Sequence, residues 1–331
     1  MLAVAPFVGE AGVGSLPSLV ELADPEPGVG EVLIDVRATA LNRADLLQMR
    51  GLYPPPPGES SVPGLECAGV IVACGPETSR YQSGDRVMAL LAGGGHASRV
   101  VAPEGQVMPV PESLTFEQAA GVPEVALTAW TNLVYEGRLE RGQTVLITAA
   151  ASGVGSFAVQ VARELGATVI AAGRSRERLE ALLELGADEL VELGSGLAAR
   201  VSDANGGRGV DLALDLVGGQ VFADLLACVR DRGRIVLVGV LGGTQSTIDL
   251  GLVLRRRLRL VGSVLRSRSR AEKAGLVASF ADFGLPRLAD GRLLPVIDQV
   301  LPFARVAVAY RDLEQGGVFG KVVLRLQDDS S

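Results

Sequence analysis

The sequence predicts an α/β protein in two parts, one β-rich and irregular, the other a doubly wound parallel sheet. Three observations carry this. The chain has 331 residues, more than one core ordinarily serves and comfortable for two. Up to about residue 122 it shows short strand-like runs rich in Val, Gly and Pro, parted by turn residues. From residue 123 apolar runs alternate with helical periodicity, the pattern of βαβ units.

Taken in order, residues 31–37 alternate around Val32, Ile34 and Val36, and residues 65–73 and 86–91 are further strand candidates. Turn signals separate them: Pro25-Glu26-Pro27-Gly28, residues 54–58, Gly75-Pro76, Ser83-Gly84-Asp85 and Gly93-Gly94-Gly95. Residues 144–148 (TVLIT) form a short strand of the buried type, and a turn over residues 149–155 follows. Val154, Phe157, Ala158, Val161, Ala162 and Leu165 then fall at helical spacing, and Gly166 closes the helix. Residues 168–172 are a second strand, 177–185 a second helix, and 189–193, 211–217, 234–239 and 258–262 four more strands. Six such strands with a turn of small residues after the first give the Rossmann plan. Beyond residue 265 come a charged helix over 269–282 and strands over 295–301 and 321–326, which do not extend the alternation. They are expected to return to the first part. The domains then run 1–122 with 265–331, and 123–264.

Composition narrows the function. The net charge of −7 argues against a large nucleic-acid footprint. No apolar run reaches the roughly 18 residues of a membrane span, and no basic residue precedes the first apolar stretch. A cytoplasmic protein without membrane or nucleic-acid partners is expected. Three cysteines without a Cys-x-x-Cys pair make no disulfide framework. With the single histidine, His96, they are also too few for a zinc site. His96, after three glycines, reads as a turn residue. The run Arg255-Arg256-Arg257-Leu258-Arg259 reads as a solvated helix end.

The turn after the first strand of the second domain carries the chemistry. Laid on G-x-G-x-x-G, its glycine positions hold Ala150, Ser152 and Gly155. Small residues there permit a tight turn, close approach of a pyrophosphate and close helix–strand packing, and the helix presents unpaired N–H groups to the anion. A plain strand–turn–helix corner is the competing reading. At the end of the second strand, where an NAD site holds Asp or Glu, this chain has Gly173, followed by Arg174 and Arg178. Guanidinium groups suit a 2′-phosphate, so the cofactor is expected to be NADPH. The alternative is that both arginines are solvated charges at a helix start.

The motifs now on the page resemble one family. They are residues 41–56 (LNRADLLQMRGLYPPP), Gly64-Leu65-Glu66, Gly84-Asp85-Arg86-Val87 and Ala126-Leu127-Thr128-Ala129-Trp130, then residues 150–155 and 215–219, Gly262-Ser263-Val264-Leu265-Arg266 and Gly320-Lys321-Val322-Val323. In order and spacing they resemble the zinc-independent quinone oxidoreductase (zeta-crystallin-like) branch of the medium-chain dehydrogenase/reductases. The resemblance implies a GroES-like catalytic domain beside the Rossmann domain, and a homodimer made by pairing the edges of two nucleotide-domain sheets. Zinc-dependent relatives carry Cys where this chain has Asn42 and His where it has Leu65. The resemblance implies Tyr53 and Asn42 as catalytic residues. The Tyr53 hydroxyl, with a reference pKa of about 10, is a donor rather than a base, and the Asn42 amide can donate to a developing oxyanion. A packing aromatic and a buried polar residue holding a loop are the competing readings of these two.

Matched positions imply further cofactor contacts. Thr128 would face the nicotinamide amide, and Ser152, Gly153, Val154 and Gly155 would cradle the pyrophosphate. Val217, Gly239, Val240 and Leu241 would flank the riboses, and Ser263, Leu265, Phe319 and Lys321 would line the site. Relatives place Tyr near the end of the third strand where this chain has Leu193. The chemistry itself favours an electron-poor acceptor. An alcohol passes through an unstable alkoxide and needs a Lewis acid. Hydride addition to a quinone gives a far less basic phenolate-type anion that hydrogen bonds can stabilise. The expected activity is NADPH-dependent reduction of a small quinone or related conjugated carbonyl. An enoyl-thioester reductase and a nucleotide-binding protein without turnover are the alternatives.

Overall fold

In the computed structural model, residues 1–5 and 17–326 are described. The chain divides into two units, Met1–Leu127 with Leu265–Ser331, and Thr128–Val264. The first change of unit falls inside the helix Pro123–Trp130, a few residues past the change in sequence pattern. The pattern switches where that helix begins, whereas the packing switches within it.

The unit Thr128–Val264 holds six parallel strands. Across the sheet they run Glu189–Glu192, Thr168–Gly173, Thr144–Ile147, Val210–Asp215, Val229–Leu237 and Arg259–Gly262. In chain order this is 3-2-1-4-5-6, the doubly wound Rossmann order. All four residues of Thr144–Ile147 are buried. The strand therefore reads as an unbroken apolar run, as covered parallel strands do. Leu146, Ile170, Ala213, Ile235 and Leu225 share one core cluster. The helix expected over 177–185 is two short pieces, Arg176–Leu179 and Ala181–Leu185, with Leu179 and Leu182 buried. The strand expected from 234 begins at Val229. Three of its first residues, Arg230, Asp231 and Arg232, are exposed and polar, and Arg232 has φ +61°. The register shifts opposite them, so only the apolar half of the strand is visible in the pattern.

The other unit is built on a seven-stranded sheet. Its path runs Ile297–Pro302, Lys321–Arg325, Glu31–Ala40, Glu66–Cys74, Arg86–Leu90 and Val107–Pro109, with Arg99–Pro103 also paired to Glu31–Ala40. The late strands thus return to the first domain's sheet. Ile297–Pro302 and Lys321–Arg325 are parallel, joined through the helix Val306–Gln315. The helix expected over 269–282 runs Arg270–Ala289. Ser269 and Glu272 form its capping box, and it passes through Pro286 because Phe280 and Leu288, both fully buried, hold its second half in the core. No helix among the described residues is long and apolar enough to cross a membrane.

Two features carry more than the sequence suggested. His96 does lie in a bend after the glycines. It is fully buried, with Nδ1 2.9 Å from the Tyr310 hydroxyl, and burial pushes its pKa below the usual histidine range. The arginine run is only partly solvated. Arg255, Arg257 and Arg259 are exposed, but Arg256 donates to the carbonyls of Ala227 (3.1 Å) and Val229 (2.9 Å) and caps the end of the helix Gly219–Cys228.

Candidate functional site

In the β-rich unit the site grows from three chain segments. The strand Glu31–Ala40 ends just before Asn42, which caps the helix Arg43–Met49. The Asn42 N–H donates to Asp45 Oδ2 at 2.7 Å, and Gly64 N–H donates to Asp45 Oδ1 at 3.1 Å. Gly64 has φ +106°, and a Cβ on it would lie 2.3 Å from the His96 nitrogen, so only glycine fits. This clamp sets Asn42 against the first residues of two strands, Glu66 and Lys321.

These three side chains form one buried network. Lys321 Nζ donates to Glu66 Oε1 (2.6 Å), Asn42 Oδ1 (2.7 Å) and the Leu41 carbonyl (2.8 Å). All three of its N–H bonds are thereby used within this unit. Asn42 Nδ2 donates to Glu66 Oε1 at 2.9 Å and reaches the Ala40 carbonyl at only 3.4 Å. One amide N–H is therefore weakly engaged. Glu66 Oε2 accepts the backbone N–H of Glu124 at 2.9 Å. Glu66 is 0% and Lys321 3% exposed, so each charge depends on the other for stability in the interior.

Tyr53 is held from behind by Arg266. Arg266 Nη1 donates to the Tyr53 carbonyl at 2.9 Å, and the guanidinium carbon lies 5.0 Å from the ring centroid. Arg266 is itself fixed by the Ala92 carbonyl (2.8 Å) and by Gln48 Oε1 (2.6 Å). The ring is half-buried, and its hydroxyl makes no hydrogen bond among the described residues. Burial first, then the nearby Glu124 carboxyl, raises its pKa against the opposing pull of Arg266. The phenol thus stays protonated. Glu124 is partly exposed as a residue. Its carboxyl pKa is nevertheless pushed up to about 8, chiefly by burial and then by the charge of Glu66. Leu265 is buried, and Phe319 is half-buried with its N–H on Asp298 Oδ1 at 3.2 Å.

In the Rossmann unit the turn after Thr144–Ile147 has the shape a dinucleotide needs. Ala149 has φ +45°, a left-handed conformation that costs a non-glycine residue about 1–2 kcal/mol. A Cβ on Gly155 would fall 2.5 Å from the Ala149 carbonyl oxygen and 2.7 Å from the Ala150 Cα, so this glycine allows the close packing of turn and helix. Ser152 caps the helix Gly153–Glu164, its Oγ accepting from the Gly155 N–H at 3.1 Å. The N–H groups of Gly153 and Val154 precede any intrahelical partner and remain for an anion. Gly173 ends its strand buried, and Arg174 and Arg178 beyond it are exposed. Leu193 follows its strand and packs partly buried on the core.

The ends of the fourth and fifth strands are tied by Asp215, which is fully buried. Its carboxylate accepts the N–H groups of Val217 (2.9 Å) and Gly218 (3.1 Å) and the Thr148 hydroxyl (3.0 Å). Gly242 N–H donates to the Val217 carbonyl at 2.7 Å. This brings the loop carrying Val217 beside the one carrying Gly239, Val240 and Leu241, with Val240 and Leu241 exposed. Thr128 is buried, its carbonyl accepting from Asn132 at 2.8 Å. Ser263 N–H donates to the Leu237 carbonyl at 3.0 Å.

Sequence reasoning assigned no role to Glu66, Glu124, Arg266, Asp215 or Ala149. Glu66 and Arg266 lay inside quoted motifs, but nothing in a string distinguishes a buried charge from a solvated one.

Two family models match the chain: an alcohol dehydrogenase GroES-like domain over residues 28–112 and a zinc-binding dehydrogenase domain over 153–281. A bovine quinone oxidoreductase-like protein 2 is 31% identical over 314 residues, covering 94% of this chain and 90% of that protein. The chain belongs to the medium-chain dehydrogenase/reductase family. It is an oxidoreductase of that family, with a GroES-like domain and a Rossmann domain. The quinone oxidoreductase of Thermus thermophilus, solved also in complex with NADPH, is 34% identical with a TM-score of 0.83, covering 98% of this chain and all of that one. A human synaptic vesicle membrane protein VAT-1 homolog is 31% identical, covering 91% of this chain and 80% of that protein.

The second family model carries zinc in its description, and these residues do not fit a zinc ion. Among the described residues no three His, Cys, Asp or Glu side chains are grouped to hold a metal. Asn42 and Leu65 stand where ligands would be needed, and Leu65 is buried hydrocarbon. Cys67 is fully buried, and burial raises its thiol pKa far above the usual range. A nicotinamide dinucleotide, in contrast, fits the turn around Ala149, Ser152 and Gly155.

Proposed function

We propose that this protein reduces a quinone or a related conjugated carbonyl with NADPH, without zinc, as a homodimer. The observation that carries the reading is Tyr53: a protonated phenol without a hydrogen-bond partner among the described residues, clamped by Arg266 in the unit that holds the Asn42–Lys321–Glu66 network. When bound, NADPH supplies the hydride. The chain's own residues handle the negative oxygen that results. Tyr53 donates its O–H to that oxygen, and the weakly engaged N–H of Asn42 is the second donor. Lys321 acts through Asn42, since its ammonium pulls on Oδ1 and makes the amide a stronger donor. Such oriented donors in a dry site replace the Lewis acid that an alkoxide would demand.

On the cofactor side, Ser152, Gly153, Val154 and Gly155 take the pyrophosphate. No carboxylate stands at Gly173 to repel a 2′-phosphate, which Arg174 and Arg178 bind. Thr128, Val217, Gly239, Val240, Leu241, Ser263, Leu265 and Phe319 complete the contacts. The relative from Thermus thermophilus, with its NADPH complex, supports both cofactor and acceptor class. The test is NADPH oxidation with an ortho-quinone, comparing the wild type with Tyr53→Phe and running NADH in parallel. Turnover that prefers NADPH and falls on the order of 100-fold in the variant supports the reading. Turnover of crotonyl-CoA with none of any quinone moves the assignment to an enoyl-thioester reductase.

A further inference from the structure

Resting on the reading above, a second requirement follows. Hydride addition leaves an anion, and a proton must reach it before the hydroquinone is complete. The residues already named supply hydrogen bonds rather than protons. An amide such as Asn42 does not ionise, and the Tyr53 phenol is made a weaker acid by its surroundings. All three N–H bonds of the Lys321 ammonium are bound by protein oxygens.

Glu124 is the remaining acid of the cluster. It stands at the start of the helix Pro123–Trp130, tethered by its own backbone N–H to Glu66 Oε2 at 2.9 Å. Its carboxyl makes no hydrogen bond among the described residues. The charges facing it come from every surrounding element. Glu66 and Lys321 begin two strands, Asp45 lies on the helix Arg43–Met49 and Lys273 on the helix Arg270–Ala289. Tyr53 and Arg266 also sense its charge. Lys321, the cation of the network, is already paired with Glu66. A second carboxylate joined to Glu66 would thus add a like charge in a partly buried place that Lys273 and Arg266 offset only in part, and holding a proton removes that cost.

We infer that Glu124 is the acid of this site, holding a proton at neutral pH and releasing it to the anionic oxygen formed by hydride addition. In the full balance, a C–H bond of the dihydronicotinamide breaks and its electron pair passes with hydrogen to the acceptor. The nicotinamide is oxidised and the acceptor is reduced by two electrons. The acceptor's oxyanion gains H⁺ as the Glu124 O–H bond breaks, and the carboxylate regains its proton from water.

Two readouts test this. In the protein without cofactor, infrared difference spectra are recorded from about pH 5 to about pH 10. A protonated-carboxyl carbonyl band that disappears with a midpoint near 8, and is missing in Glu124→Gln, is expected. With NADPH and quinone, kcat of the wild type should fall above that same pH. In Glu124→Gln that limb should vanish, with kcat lowered on the order of 100-fold at neutral pH, and Glu124→Asp should recover part of it. A band that titrates in the ordinary carboxyl range, or that persists in Glu124→Gln, overturns the inference. So does a glutamine variant that keeps both the wild-type kcat and the alkaline limb. If the wild type shows the band but turns over no quinone, the proton-holding assignment stands and the quinone reading falls.

Discussion

Lys321 and Glu66 show how far apart in sequence a single interaction can be hidden. They are 255 residues apart and 2.6 Å apart in space, both almost fully buried. Replacing Lys321 with Met leaves Glu66 charged in the interior, and a loss of about 3–5 kcal/mol is expected in denaturant unfolding. The double variant Lys321→Met/Glu66→Gln should recover part of that loss, because the unpaired charge is then gone. Glu124 gives the opposite sign. Its folded pKa of about 8 lies above the ordinary carboxyl value. The folded chain therefore binds more protons than the unfolded one between those limits, and stability falls as pH rises through that window. Glu124→Gln should leave stability nearly unchanged near pH 5. Near pH 9 it should stabilise by about 1–2 kcal/mol after allowance for the side chain's partial exposure, read as a Tm difference that grows with pH. The sequence offered Asn42 and Tyr53 through their motif. It could not offer Glu66, Glu124 or Arg266, because what makes them special is burial and company rather than residue type.

At the scale of elements, legibility tracked periodicity. The Rossmann strands stood out because both faces of a covered parallel sheet are apolar, as in Thr144–Ile147. The short helices Arg43–Met49 and Val306–Gln315 did not, since their apolar faces are built from few residues and lie among strands. The phosphate turn was legible in position but not in strain. The small residues at 150, 152 and 155 marked it, while the left-handed backbone falls on Ala149, one residue earlier. Gly155→Ala should disrupt the turn itself, since its Cβ would meet the Ala149 carbonyl oxygen at 2.5 Å. NADPH titration should show affinity lowered by more than about 10-fold with the rest of the fold retained. Arg174→Ala with Arg178→Ala should act differently. The expected loss is about 10- to 100-fold in NADPH affinity with NADH nearly unaffected, as suits removal of charge-assisted bonds to one phosphate.

At the scale of the whole molecule, the two edges of the Rossmann sheet are not alike. Glu189–Glu192 ends one side, and its terminal glutamates are exposed, a charged edge that resists pairing. Arg259–Gly262 ends the other, hydrogen-bonded only to Val229–Leu237 among the described strands. Leu260 is 38% and Val264 51% exposed there, and the nearby helix Leu250–Arg256 exposes Leu250 and Leu254. The outer side of Arg259–Gly262, which carries exposed Leu260 beside exposed Arg259 and pairs with no further strand among the described residues, is open to another strand. A second copy related by a two-fold axis satisfies it with the same residues on both sides and leaves no further edge open there. The homodimer we propose is therefore expected at this edge rather than at the glutamate-flanked one. Leu260→Glu places like charges against each other across such an axis. Sedimentation should show two chains for the wild type and one for the variant. The variant should still bind NADPH, because Ser152 to Gly155 and the arginines beyond Gly173 follow the strands Thr144–Ile147 and Thr168–Gly173, which lie in the far half of the sheet from this edge. A wild type that sediments as a single chain, or a variant that stays paired, would exclude this edge as the interface.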